Sequence, residues 1–178
     1  PERLYGREKQ VSLLLDAVSE VRHGATEVLL VAGFSGVGKT RLVQEVHKPI
    51  VRRRGSYICG KYDQYKRHIP YSAIIEAFRD LLRQMLSWPR ARVEKWKETL
   101  LTALGSNGQV LIEVIPELEY LIGKQPDLTP LPAMEAQNRF NLVFTNFVQH
   151  IAQKDHPLVL FLDDLQWADV ASLRLIHM

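Results

Sequence analysis

The chain reads as an α/β protein, with a mostly parallel sheet flanked by helices and a helical insertion between the second and third strands. Three observations predict this. An apolar run at residues 28–32 feeds a glycine-rich turn at 33–38, and a helical pattern starts at Arg41. A second apolar run, 158–162, ends directly in Asp163 and Asp164; its lack of alternation is that of a parallel strand covered on both faces. Between the two, apolar residues recur at helical spacing through most of 70–153.

Each element has its own signal. Val11, Leu14, Leu15 and Val18 make 7–21 an amphipathic helix, entered through the segment Leu4-Tyr5-Gly6-Arg7-Glu8. Residues 27–32 are the first predicted strand, 41–53 the first core helix and 56–60 a second short strand. A proline at the start and Ile74, Phe78, Leu81, Leu82 and Met85 on one side define a helix over 70–86. The pattern over 91–104 carries Val93, Trp96, Leu100 and Leu104, and 105–108 breaks it. Residues 110–122 predict one or two shorter helices around Pro116, 126–132 a loop, and 133–153 the longest helix, with Phe140, Val143, Phe144, Phe147 and Ile151 facing inward. The acidic strand occupies 157–164 and a last helix 168–177. Residues 1–178 thus read as the N-terminal part of one domain, in which 27–53 is a strand-and-helix unit and 70–153 the insertion. The apolar stripes of that insertion read as core, and no chemistry is assigned to it.

Gly33-Phe34-Ser35-Gly36-Val37-Gly38-Lys39-Thr40 matches G-x-x-x-x-G-K-[ST] at every fixed position. Between a strand and a helix, this run is a phosphate-binding P-loop. Its backbone N–H groups converge on one concavity and the helix adds its positive dipole end. Lys39 reaches the outer phosphates, the Thr40 hydroxyl can ligate magnesium, and Arg41 follows within the first helical turn. An ordinary glycine-rich turn is the competing reading, and the acidic strand weighs against it. Ligand sites in parallel sheets form at the carboxyl ends of strands, which brings both acids beside the P-loop. Asp163 then holds magnesium through water, and Asp164 orients the attacking water. One of these acids could instead cap the following helix, but Asp169 and Ser172 are available for that work. The fold class is therefore a P-loop NTPase core binding ATP or GTP with Mg²⁺, and the missing guanine-reading Asn-Lys-x-Asp run favours ATP and ADP.

Composition narrows the class further. The 178 residues are 46% hydrophobic and 24% charged, which suits one packed domain rather than disorder. The net charge of +3 is met by a polyanionic nucleotide without nucleic acid. Cys59 is the only cysteine and the six histidines show no metal spacing, so neither a disulfide framework nor a zinc site is expected, and the reading is a reducing cytoplasm. Apolar runs are strand-sized, too short for a membrane helix. Arg52-Arg53-Arg54 reads as a solvated helix end rather than a DNA contact, and Arg139 as the partner of Glu135 one turn earlier. No Asn-Lys-x-Asp run reads guanine, and no protein-kinase signature occurs.

Leu4-Tyr5-Gly6-Arg7-Glu8, the P-loop, and Phe161-Leu162-Asp163-Asp164-Leu165-Gln166-Trp167-Ala168-Asp169 together resemble the STAND-class signalling ATPases, relatives of the AAA-type and origin-recognition ATPases. Gly60 to Tyr65, Ile69 to Tyr71 and Glu135 to Phe140 look like a narrower group in large bacterial signalling proteins, between a serine/threonine kinase-like domain and GAF and histidine kinase regions. The resemblance spans nearly the whole chain. It implies that Leu4 and Tyr5 lie near the adenine, that Gly33 to Thr40 hold the phosphates, that Asp163 is the magnesium acid and that Asp164 is the catalytic acid. It also implies a slowly hydrolysing, nucleotide-dependent switch. Its partners would be other domains of the same polypeptide and, depending on nucleotide, further copies of itself. An origin-recognition-like ATPase acting on DNA and a non-hydrolysing interaction module remain the alternatives. The family core has strand order 5-1-4-3-2, so the fourth and fifth strands, the sensor residue, an arginine finger and a winged-helix region are expected beyond Met178.

Overall fold

The computed structural model describes residues 6–21, 23, 25–34, 36–52 and 55–177. Helix α1 (Glu8–Val21) packs on α2 (Lys39–Arg52), and strand β1 (Ser56–Lys61) follows. Five helices then precede strand β2 (Leu158–Asp163): α3 (Ser72–Leu86), α4 (Arg90–Leu104), α5 (Gly108–Ile112), α6 (Glu117–Ile122) and α7 (Ala133–Ile151). A 3₁₀ turn over Leu165–Trp167 leads into α8 (Val170–His177). The class is mixed α/β, mostly helical.

The sheet has two parallel strands in register from Ser56↔Leu158 to Lys61↔Asp163. Parallel pairing places both strand ends on the same side, so Lys61 and Asp163 share one edge. Alternate residues point to opposite faces. Tyr57 and Val159 meet a small cluster of Val18, Val46 and Ile50 from α1 and α2. Ile58, Leu158, Leu160 and Leu162 meet the large core of the helical block. That core centres on Phe78, whose ring is edge-on to Phe144 at 5.2 Å, with Leu81, Leu82, Leu100, Leu111 and Phe147 fully buried around it. Glycine is required at position 60: a Cβ there would stand 2.2 Å from the carbonyl oxygen of Ala73, so β1 and α3 touch backbone to backbone.

Three expectations are corrected. Residues 25–34 form no strand, and Val28, Leu29 and Leu30 are exposed. An extended segment becomes a strand only where another supplies a ladder, and β1 and β2 pair with each other alone among the described residues. In the strand order that the resemblance implies, the P-loop strand does not adjoin the acidic strand, so neither offers it an edge. For the same reason β2 is half-buried throughout rather than covered on both faces. Arg139 makes no ion pair with Glu135; it donates to the Thr129 carbonyl at 3.0 Å and ties α7 to the preceding loop.

The helical readings differ mainly at their ends. α3 starts at Ser72, because Tyr71 takes a left-handed conformation (φ 61°) that ends the extended chain before it. Pro116 separates α5 from α6, and α2 starts two residues earlier than expected, at Lys39. Glu117, at the start of α6, is buried and receives Arg79 at 2.9 Å and Arg83 at 2.8 Å, which fastens α6 to α3. Burial pushes its carboxyl up, but its own backbone N–H and the two arginines outweigh that and hold it below the usual range.

Candidate functional site

The glycine-rich turn bends at Gly36 (φ 81°) and Gly38 (φ 87°), both in the left-handed region where a side chain is strained. Lys39 and Thr40 open α2, so they sit at the helix end where backbone N–H groups are unpaired. The Lys39 ammonium turns back over the loop and donates to the carbonyls of Gly33 at 2.9 Å and Phe34 at 3.0 Å. Phe34 projects outward, and Arg41 lies alongside Glu45 one turn further at 3.6 Å. Ser35, Leu4 and Tyr5 lie outside the described residues, as do Arg53 and Arg54.

The anchoring of α2 on Tyr57 and Val159 carries the loop to the acidic end of the sheet. There the Thr40 hydroxyl donates to Asp163 Oδ2 at 3.1 Å, joining two residues 123 positions apart. That contact places the two residues where Thr40 would ligate a magnesium ion and Asp163 would hold it through water. Among the described residues no group of three or more His, Cys, Asp or Glu side chains gathers as a metal cluster. Magnesium ordinarily takes one or two protein oxygens and completes its shell with phosphate and water.

Asp164 is placed differently. It adopts φ 57° and ψ 44°, a left-handed turn that aspartate tolerates, and its N–H donates to Asp163 Oδ1 at 3.0 Å. Its carboxylate accepts from Gln166 at 2.9 Å and lies 3.6 Å from the Lys61 ammonium. Lys61 and Asp164 line a cavity of about 320 Å³ with Tyr62, Asp63, Glu76 and Trp167. The structure thus brings Thr40 to Asp163, leaves Lys39 on the carbonyls of its own loop and turns Asp164 toward Lys61.

Several contacts here were not anticipated. Lys61 could have been found by extending the strand-end argument to the second strand, since all parallel strands finish at the same edge. Arg7, whose guanidinium donates to the Val37 carbonyl at 3.4 Å, and Gln166 carry no spacing signal of their own.

A glycine-rich loop opening a helix, with its lysine and threonine beside an acid-ended parallel strand, defines a nucleotide-binding P-loop protein. The chain belongs to the AAA ATPase domain family, whose model matches residues 3–178. It is 44% identical to hybrid signal transduction histidine kinase G of Dictyostelium discoideum over 98% of this chain and 5% of that protein. It is also 23% identical to histidine protein kinase 1 of Candida albicans, over 98% of this chain and 8% of that protein. The chain therefore spans under a tenth of either relative. No solved structure matches it significantly. No helix among the described residues is long and apolar enough to cross a membrane.

Proposed function

We propose that this chain is the magnesium–ATP-binding part of a slowly hydrolysing, nucleotide-dependent switch within a multidomain signalling protein. The observation that carries the reading is the Thr40–Asp163 contact, which joins the P-loop to the acid-ended strand. Membership of an ATPase domain family and two relatives named as histidine kinases support the setting. Lys39 would leave the carbonyls of Gly33 and Phe34 for the outer phosphates, and the N–H groups at the start of α2 would cradle them. Thr40 and Asp163 would hold Mg²⁺, which supplies charge neutralisation on the β- and γ-phosphates when bound. Asp164 would orient the attacking water once released from Lys61. Leu4 and Tyr5 are assigned to the adenine. Other domains of the same polypeptide, including kinase-like and histidine kinase regions, are the proposed readers of the nucleotide state, in the cytoplasm.

The Lys61–Asp164 pair favours a second reading, a non-hydrolysing module that binds ATP and signals by contact alone. Calorimetry of magnesium–ATP against the wild type and Lys39→Ala tests the shared premise. Saturable binding that Lys39→Ala abolishes supports both readings, whereas equal binding by the two proteins would remove the P-loop from the account.

A further inference from the structure

We infer that Asp169 is a positioning residue for the acidic pair: it ties the turn carrying Asp164 to the helical block by bonding the backbone of Tyr71. The inference rests on the nucleotide reading above only for its kinetic consequence. Asp169 is buried, and both of its carboxylate oxygens accept hydrogen bonds. Oδ1 accepts the Ser172 N–H at 2.8 Å, which caps the first turn of α8. Oδ2 accepts the Ser172 hydroxyl at 2.5 Å and, from across the molecule, the Tyr71 N–H at 3.2 Å. A cap needs only the first of these bonds. The bond to Tyr71 spans 98 positions and does no work for α8.

Tyr71 is the other half of the device. It precedes α3 in a left-handed conformation unusual for an aromatic residue, held where its surroundings over-determine it. Its ring lies 4.7 Å from Phe140, and Gln137 donates to its hydroxyl, both from α7. Between Asp164 and Asp169 the chain makes a short closed turn, with Trp167 N–H on the Asp164 carbonyl at 2.9 Å and Ala168 N–H on that of Leu165 at 3.0 Å. Ala168 is buried against Tyr62 and Ala73. The turn is therefore clamped at both ends, by the register of β2 and by Asp169, and the second clamp is bolted to α3 and α7. A shift of Asp164 moves that bolt, so the same residue that sets the acid's position links it to the helical block.

NMR-detected amide exchange on the chain tests the clamp without requiring turnover. In the wild type the Tyr71 amide and those of residues 167–168 should open as one unit, with protection factors within about threefold of each other. Asp169→Asn, which keeps the size but weakens the acceptor, should lower protection at Tyr71 and at 167–168 together. In the full-length protein Asp169→Asn should lower kcat for ATP by about tenfold and leave the dissociation constant for magnesium–ATP within about twofold. Independent opening of Tyr71 and the turn, changes in Asp169→Asn confined to α8, or an unchanged kcat would each overturn the inference. Failure of the nucleotide reading shows separately, as absence of Lys39-dependent ATP binding with the exchange pattern intact.

Discussion

Lys39 and Asp164 are both held by neighbours that a nucleotide would displace. The lysine sits on carbonyls of its own loop, and the aspartate faces Lys61 and Gln166. The ion pair is largely exposed at its lysine end, so its own contribution is about 1 kcal/mol at most, small enough for a bound phosphate and cation to override. On the proposed catalytic role, Asp164→Asn should leave magnesium–ATP affinity within about twofold and reduce any turnover by about 100-fold, since it would remove the group that orients the attacking water. A phosphate-release assay with matched binding measurements checks this. Turnover unchanged in Asp164→Asn would assign the water to another group and favour a purely positional role for this acid.

At the scale of elements, the junctions matter more than the helices themselves. The touch between β1 and α3 at Gly60 admits no Cβ, because the atom in the way is backbone oxygen and cannot rotate aside. Gly60→Ala should therefore cost about 3 kcal/mol in urea unfolding, the upper end for overpacking. A loss below about 0.5 kcal/mol would mean that α3 can slide on the strand. The Glu117 junction between α3 and α6 carries a pH signature. Its carboxyl is held below the ordinary value of 4.5, so its contribution is complete above that value and is lost as pH falls through the lower, folded-state value. Glu117→Gln should cost about 1–2 kcal/mol at neutral pH, discounted for the exposed ends of Arg79 and Arg83. That difference from wild type should shrink as pH is lowered below about 4.5, measured by urea midpoints across pH. A difference independent of pH would show that the loss comes from packing and not from charge.

Among the described residues two cores of unequal size lie on opposite faces of a narrow sheet, and a small third cluster gathers Tyr62, Ala73 and Ala168. The helical block buries a continuous set from Ile58 to Leu175, whereas α1 and α2 rest on Val18, Val46 and Ile50 with a few half-buried neighbours. Opening free energy follows buried apolar contact, so α1 and α2 should exchange their amides about 100-fold faster than α3 and α7. Hydrogen-exchange mass spectrometry distinguishes this from a uniform fold, in which all four helices would exchange alike. The P-loop belongs to the weaker unit and the acids to the stronger. A ligand bridging Thr40 and Asp163 would add its binding energy across that division, so magnesium–ATP should protect α2 more than it protects α7.

Local pattern was enough for the helices and the acidic strand, because each signal lies within a few residues of the feature it specifies. Spacing alone places apolar faces, and the loop motif names its own donors. Covering both faces of a strand is not local: the run 28–32 has the composition of a strand yet stands exposed without a ladder, since pairing depends on another segment's edge. Neither is the choice of a charged group's partner. Arg139 took a loop carbonyl instead of Glu135, Lys61 met Asp164, and Asp169 reached Tyr71 across 98 positions. The sequence by itself determined which groups were present and which elements would carry them. Only the tertiary structure decided which groups meet, because the choice among partners of similar chemistry rests on distances set by the packing of the whole chain.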